Sequence, residues 1–113
     1  MTGKYIKNIN TSEVLELAAQ VEYQSGQIVS RTLAQNKSMN LTLFAFDKGE
    51  EISSHDSSGD AFVLCLDGEG EITVGEGKHV LKAGQVIIMP AKIPHAVFAK
   101  ERFKMMLTVV FPA

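Results

Sequence analysis

The sequence predicts one all-β domain, a sandwich or closed barrel, with a single short helix near its N-terminus. From Gln27 onward, short runs rich in Val, Ile, Leu, Phe and Thr alternate with turn-forming residues, and no helical period is present. Many short strands with evenly spaced turns are typical of this architecture. The length of 113 residues fits one domain, which can bury enough surface to fold without disulfides.

An amphipathic helix is predicted from residue 11 to about residue 22. Thr11 or Ser12 can cap its first turn. Four apolar residues then recur at helical spacing on one face, namely Val14, Leu17, Ala18 and Val21. About three helical turns are marginally stable alone, so this face must pack on something else. We expect residues 1–26 to form an N-terminal segment whose helix docks on the outside of a barrel built by residues 27–113.

The remainder of the chain predicts eight short strands. Turns are expected between them at clusters rich in Asn, Asp, Gly and Ser, because these residues favour tight reversals of the backbone. The predicted strands comprise residues 28–35, 40–46, 61–66, 71–74, 79–81, 86–89, 96–99 and 103–111.

The predicted strand at residues 40–46 carries apolar side chains on both of its faces. A strand with one face in water would alternate apolar and polar residues. Something must therefore cover the second face: the N-terminal helix, a neighbouring sheet or a second copy of the chain. We expect a homodimer that buries part of this sheet, and size-exclusion chromatography with light scattering would test it.

Charge and composition narrow the partners and the compartment. The 11 basic and 13 acidic residues are spread along the chain and give a net charge of -2, so no basic stripe is available to follow a phosphate backbone. We expect no nucleic-acid partner.

No segment is apolar enough for a signal peptide or a membrane span, and the single cysteine, Cys65, cannot form an internal disulfide. These features predict a cytoplasmic protein without a membrane partner.

Two glycine-framed segments carry the strongest clue to function. In the first, Gly49 precedes His55 by six residues and a further glycine follows His55 by thirteen. In the second, Gly84 precedes Pro90 by six residues, and His95 follows Pro90 by five. Glycines at strand ends allow turns that a β-carbon would strain, and prolines stiffen the loop that carries the second histidine. Histidines on separate strands can then converge inside one barrel.

The spacing of these segments resembles the two motifs of the cupin family, over residues from about 39 to 112. The resemblance implies a double-stranded β-helix, or jelly-roll cupin barrel, whose mouth often carries a metal held by three histidines and a glutamate. His55 and His95 stand at two of these ligand positions. Ser57 stands at the position of another histidine, and Ala61 at that of the glutamate.

Two further departures lie in the second motif. Lys92 and Ala99 stand where the family has a glycine and an asparagine. These departures bear on the shape of the loop that leads to the second histidine and leave the predicted fold unchanged.

The number of metal ligands decides the chemistry, because a tightly held divalent metal usually needs three or four protein donors. The aligned positions offer His55 and His95. Asp60 is a tentative third metal ligand, although strand alternation turns it away unless residues 58–59 form a bulge. The favoured interpretation makes Asp60 a turn or hydrogen-bonding residue at the start of a strand. A divalent Fe, Mn, Ni, Cu or Zn ion is one expectation for the cofactor, and no cofactor is the other.

A softer set of ligands is a less favoured alternative. Cys65 is expected to face the barrel interior, where Met89, Met105 and Met106 approach from other strands. Together with the two histidines they would select Cu(I) or another thiophilic metal. The favoured interpretation of these sulfur side chains is core packing. The third histidine, His79, lies far from both motifs and is interpreted as a surface or packing residue.

Three functions stay open from the sequence. The first, which we prefer, is binding of a small molecule in the barrel around His55, Ser57 and His95, because an apolar pocket with a few polar groups is sufficient. The second is a metal-dependent cupin enzyme of oxygenase or isomerase type, with both histidines and a third donor such as Asp60 holding the metal. The third is a non-catalytic structural or interaction module, which predicts a filled apolar barrel. No catalytic residue is assigned.

Overall fold

The computed structural model describes residues 3–112 and confirms the predicted all-β barrel. One short 3-10 helix, Leu17–Gln20, precedes the strands. The strands in this range are β1 Ile28–Gln35, β2 Met39–Phe46, β3 Glu51–His55, β4 Asp60–Val74, β5 Gly77–Lys82, β6 Val86–Met89, β7 His95–Phe98 and β8 Phe103–Val110. Across the described range, no helix is long and apolar enough to cross a membrane.

The strands form two antiparallel sheets that share β4. The order in the first sheet is β1, β2, β8, β4 and β6, and the order in the second sheet is β5, β4, β7 and β3. Residues 60–68 of β4 pair with β8, whereas residues 69–74 pair with β5. One strand therefore passes from the first sheet to the second and joins them along one side of the barrel.

Two glycines allow β4 to turn this corner. The strand bulges just before Gly68, which has a φ of 67°, a left-handed value that favours glycine. At Gly70, a β-carbon would lie 2.6 Å from the ring of Phe103. That ring stacks on Phe46 with 4.6 Å between the ring centroids. The corner of β4 thus wraps directly over an aromatic pair.

The predicted strands agree with the structure to within two residues at each end, with two exceptions. The predictions at residues 61–66 and 71–74 are one continuous strand, because the glycines between them bend the strand without ending it. Strand β3 is absent from the prediction. It contains one apolar residue, and four of its five residues are exposed, so it has no alternation to detect and depends on its pairing with β7.

The space between the two sheets holds the inner core. Its buried side chains come from both sheets and are Phe46, Ala61, Val63, Cys65, Ile72, Leu81, Met89, Val97, Ala99, Phe103 and Met105. Cys65 lies here as a free thiol, as expected from its strand parity. Burial raises the pKa of this thiol, and its Sγ donates to the carbonyl oxygen of Gly68 at 3.4 Å.

The predicted helix over residues 11–22 is wrong. Ser12 has a φ of 62°, in the left-handed region, and Glu16 is extended with φ -81° and ψ 113°. The backbone therefore leaves the helical region at both places, and only the single turn Leu17–Gln20 is left. Val14, which belongs to the predicted apolar face, is fully exposed.

The N-terminal segment nevertheless covers the outer face of the first sheet. A second buried cluster lies there, formed by Val21, Leu33, Leu43 and Ala45. Partly buried side chains surround it, namely Ile9, Leu17, Tyr23, Val29, Leu41, Leu66 and Met106. Strand β2 thus has one apolar face under this segment and the other in the inner core, which accounts for its two apolar faces within one chain. Dimerisation stays a prediction.

Polar contacts fasten the end of this segment to the barrel. The hydroxyl of Tyr23 donates to Oδ2 of Asp67 at 2.5 Å, and Nζ of Lys104 lies 4.8 Å from the centre of the Tyr23 ring. The same Nζ donates to the carbonyl oxygen of Ala18 at 2.6 Å. Burial, followed by the Asp67 carboxylate, raises the pKa of the Tyr23 phenol. The phenol therefore keeps its proton, and this contact, at neutral pH.

The corner of β4 gives a direct prediction about stability. Gly70→Ala is expected to lower the free energy of unfolding by about 1–3 kcal/mol, because the new β-carbon must displace the buried ring of Phe103. Gly77→Ala is the matched control, since its β-carbon would meet the exposed side chain of His79 at 3.2 Å and the carbonyl oxygen of Val74 at an ordinary contact distance of 3.6 Å. Urea unfolding followed by circular dichroism measures both variants. Equal losses at the two glycines would contradict the role assigned to the corner.

Candidate functional site

Two histidines meet on neighbouring strands of the second sheet. His55, the last residue of β3, is the register partner of His95, the first residue of β7. Directly opposed residues place their side chains on the same face of a sheet. The two rings are 4.4 Å apart between centroids and meet edge to face at 69°. The structure therefore brings these two predicted site residues together.

The ring of His55 is exposed and is oriented by the backbone. Its Nδ1 lies 2.9 Å from the carbonyl oxygen of Ser53. Because a carbonyl can only accept a hydrogen bond, Nδ1 donates, and in the neutral ring Nε2 then carries the lone pair. No hydrogen-bond partner of Nε2 is found in the part of the chain that the structure describes. Ser53 was not predicted from the sequence, because its backbone carbonyl, which every residue has, accepts this hydrogen bond.

His95 is 5% exposed and is the only buried polar residue between residues 3 and 112. Within the described residues, its Nδ1 has no hydrogen-bond partner of good geometry. Burial, and then the neighbouring His55, lowers the pKa of the His95 ring, while the backbone of Ile93 and the carboxylate of Asp56 act in the opposite direction. His95 is therefore neutral at pH 7. A buried nitrogen without a partner is uncommon in folded proteins.

Hydrogen bonds connect two loops at the end of the barrel where His95 lies. The N–H of Lys92 donates to the carbonyl oxygen of Ser57 at 2.8 Å. The N–H of Ala91 donates to Oδ1 of Asp60 at 2.7 Å. These bonds tie the loop before β4 to the loop before β7, and the second loop leads to the buried histidine.

Asp60 does not join the two histidines. It pairs with Val110 at the start of β4, and no register shift separates it from Ala61. Adjacent strand residues face opposite sides, and Ala61 is buried in the inner core, so Asp60 lies on the outer face. Asp60 thus acts as a hydrogen-bond acceptor at a strand start, which is the interpretation favoured from the sequence. Oγ of Ser57, in the loop before it, accepts the N–H of Gly59 at 3.1 Å.

The inner face of the first sheet is filled at one end and partly open at the other. Along β8, burial decreases from Phe103 and Met105 to Leu107 and Val109, and in the antiparallel β2 the less buried residues lie at the same end, near Met39. Leu107 and Val109 still pack against the inner core. Val109 pairs with Ala61, beside the joined loops, so the open end is the end that leads to the histidines. The alternation of apolar residues along 103–111 is the sequence signal for this lining.

The structure does not assemble the softer ligand set. Cys65, Met89 and Met105 lie in the inner core, whereas Met106 packs in the cluster on the outer face. This arrangement agrees with core packing. His79 is exposed on β5, away from both motifs.

A groove with a volume of about 690 Å³ lies apart from the histidines, between residues 19–24 and β1. Its lining is mostly polar, and neither motif contributes to it. The predicted site residues His55, Ser57 and His95 therefore do not line this groove.

Comparisons with known proteins agree with this geometry. The sequence profile of the family described as "Cupin domain" matches residues 42–111. The chain belongs to the cupin family. It is similar to a conserved protein of unknown function from Streptococcus pyogenes, whose crystal structure has a TM-score of 0.95 and 45% sequence identity over 98% of this chain and 97% of that chain.

Two further cupin structures are similar to this chain. A cupin superfamily protein from Desulfitobacterium hafniense has a TM-score of 0.90 and 34% identity over 95% of this chain and 98% of that chain. A Cupin 2 conserved barrel domain protein from Leptotrichia buccalis has a TM-score of 0.81 and 44% identity over 83% of this chain and 46% of that chain. No protein of curated function matches this chain. These relatives establish the cupin barrel, and their descriptions name no ligand.

The histidine pair supplies two of the protein donors that a divalent metal needs. Over residues 3–112, no group of three or more His, Cys, Asp and Glu side chains could hold a metal ion. The two imidazoles fall short of the three or four protein donors that usually fix a divalent metal. The residues present do not fit a metal held by protein ligands alone.

Lys92 keeps the loop shape for which the cupin motif uses a glycine. Its φ is 65°, a left-handed value that costs a residue with a β-carbon about 1–2 kcal/mol. Ala99, at the asparagine position, is buried, and its backbone bonds to Gly49 at 2.7 Å and to Glu50 at 2.9 Å. Both departures from the motif are therefore accommodated without loss of the loop that positions His95.

Stability is expected to fall as the pH drops below 6.5, the ordinary imidazole pKa. Above this pH, His95 is neutral in the folded and unfolded chain. Below it, the unfolded chain takes up a proton that the folded chain does not, because its pKa is lowered. The free energy of unfolding then decreases by at most about 1.4 kcal/mol per pH unit for this one group.

Denaturant unfolding between about pH 8 and about pH 5 measures this dependence. His95→Asn should reduce the slope more than does His79→Asn, the control at an exposed histidine. An unaltered slope in His95→Asn would show that another group causes the loss of stability.

Proposed function

We propose that the protein binds a small molecule with a polar head group at the open end of the barrel, through His55 and His95, with Ser57 near the head group. The observation that carries this proposal is the buried, unpartnered Nδ1 of His95 beside the ring of His55. A buried polar atom without a partner costs about 1–3 kcal/mol. A ligand that supplies a partner, directly or through a water molecule, recovers this energy on binding.

The hydrogen bond of His55 and the lowered pKa of His95 favour a hydroxyl head group over a carboxylate at neutral pH. The Nδ1 proton of His55 is used by Ser53, so the neutral ring offers an acceptor at Nε2, which a hydroxyl can satisfy. A carboxylate needs a donor and gains most from a protonated ring. Burial opposes protonation of His95, so carboxylate binding should strengthen only as the pH falls.

The apolar part of the ligand has a surface to contact. Phe44, Leu107 and Val109 pack against the inner core and are only partly buried. Ligand sites commonly combine such an apolar lining with a few placed polar groups. A compound with a hydroxylated head and a short apolar body fits both features. The partly open end also counts against the third function, the module with a filled barrel.

A thermal-shift screen of chelator-treated protein with small sugars, polyols and short monocarboxylates tests the proposal. A hydroxylated probe should raise the Tm of the wild type, since saturation at about 100 times Kd stabilises by about 2.7 kcal/mol. The shift should be lost in His55→Ala and in His95→Asn, and kept in His79→Ala, the control histidine. Probe binding that survives both site variants, or no binding by either class of probe, would contradict the proposal.

A metal-dependent enzyme of oxygenase or isomerase type is the second candidate. The observation in its favour is the bond from Nδ1 of His55 to a backbone carbonyl, because metal-ligating histidines are commonly oriented in this way. Metal analysis of untagged protein separates the two candidates. Near-stoichiometric Fe, Mn, Ni, Cu or Zn, lost in the His55→Ala, His95→Ala double variant and kept in His79→Ala, would favour the enzyme. Metal-free protein that still binds a probe favours the small-molecule site.

A further inference from the structure

The groove of about 690 Å³ between residues 19–24 and β1 follows an edge of the first sheet. Among the described strands, β1 pairs with β2 alone, so its other side is an edge. Four consecutive residues of β1, 29–32, line the groove. A cavity over one face of a strand would touch every second residue, because successive side chains point to opposite faces. The groove therefore lies along the edge of β1, where the backbone itself is presented.

The backbone of Ser30 points into this groove. The N–H of Asp47 donates to the carbonyl oxygen of Gln27 at 3.1 Å, which makes these two residues a hydrogen-bonded pair of the β1–β2 ladder. Bonded and non-bonded pairs alternate along an antiparallel ladder, so the N–H and C=O groups of Ile28, Ser30 and Thr32 point away from β2. Ser30 is exposed, and neither of its backbone groups has a partner in the described part of the chain.

The N-terminal segment already bonds to the same edge, just beyond the groove. Nδ2 of Asn8 donates to the carbonyl oxygen of Thr32 at 2.8 Å. The N–H of Lys7 donates to the carbonyl oxygen of Leu33 at 2.7 Å. The edge of β1 thus accepts a second backbone where its own chain supplies one, and the stretch that contains Ser30 is left open.

The opposite wall of the groove is a second stretch of backbone, residues 19–24. Val21 in this wall is extended, with φ -141° and ψ 136°. Glu22 lines the groove from this wall and Arg31 from β1. Glu22 has no ion-pair partner among the described residues, and Arg31 has a single bond, from Nη1 to the carbonyl oxygen of Asn8 at 3.3 Å. The groove therefore offers one free charge of each sign.

We propose that this groove binds a short extended peptide of another protein, which adds to β1 as an extra strand. Unpaired N–H and C=O groups on an edge strand are complementary to the backbone of an extended chain. The edge from Ile28 to Thr32 spans roughly 13 Å, which matches about four residues of peptide. Acidic and basic side chains of the peptide would pair with Arg31 and Glu22.

The two walls of the groove select a single peptide segment. A folded sheet that approached the edge of β1 would meet residues 19–24, whereas one extended chain fits between the walls. The proposal is independent of the histidine site, because neither histidine motif lines the groove. Ordering a short peptide costs much of the interaction energy, so we expect a dissociation constant on the order of 0.1–1 mM.

An NMR titration of the ¹⁵N-labelled full chain tests the proposal. The probes are capped tetrapeptides assembled from Thr, Val, Glu and Lys. Members with one Glu and one Lys should shift the amide signals of β1 and of residues 19–24, and should leave those of β6, the opposite edge of the first sheet, unchanged. No shift of the β1 signals with any member at about 5 mM, well above the expected dissociation constant, would overturn the proposal.

A pair of variants at one position tests whether the backbone binds the peptide. Ser30→Pro removes the N–H that points into the groove and should weaken binding by about tenfold or more. A proline is tolerated at an edge position whose N–H lies outside the ladder. Ser30→Ala is the matched control, because it keeps the N–H and should keep the affinity. Equal binding by the two variants would contradict strand addition.

A charge variant keeps the test decisive if circular dichroism shows that Ser30→Pro is unfolded. Arg31→Gln should weaken binding of Glu-containing peptides by about threefold and leave uncharged members unaffected. Loss of affinity for both kinds of peptide, or for neither, would count against the assigned contact. Peptide shifts confined to His55 and His95, or the same β1 shifts on raising the protein concentration without peptide, would also overturn the proposal.

Discussion

The barrel depends on the corner where β4 leaves the first sheet and enters the second. Gly70 lies so close to the ring of Phe103 that no β-carbon fits between them, and the same ring stacks on Phe46. The rest of the second sheet is attached through this strand. Strand β7 pairs with the end of β4, with His95 opposite Val74, and β3 pairs in turn with β7. The position of the histidine pair therefore follows from the corner.

The alternation of β4 separates two surfaces with different chemistry. Ala61 faces the inner core near the open end of the barrel, whereas Phe62 and Asp60 face outward. The inner surface ends at a neutral, buried imidazole next to an exposed one, which suits a small ligand. The outer surface carries the exposed Phe62 ring beside Asp60, whose Oδ1 accepts the N–H of Ala91. One strand thus contributes to the inner core and to the outer face of the first sheet.

The sequence predicted the strands that alternate and the histidines that the motifs frame, because both signals are local. The sequence analysis did not predict β3, because Ile52 is its single apolar residue. This strand is extended because it pairs with β7. The sequence predicted a helix where Ser12 is left-handed and where packing of Val21 on the sheet overrides the local preference. Strand parity alone places Asp60 on the outer face, whereas the unpartnered nitrogen of His95 depends on packing from several strands. Its burial could therefore not be predicted.

The most direct test of the proposed site is ¹⁵N NMR of the imidazole nitrogens in the intact chain, with and without a hydroxylated probe. We predict that His55 carries a proton on Nδ1, that His95 titrates below the ordinary pKa of 6.5, and that the probe shifts the signals of these two rings but not of His79. A His95 ring that titrates at 6.5, with no response of either ring to any probe, would contradict the account of this site.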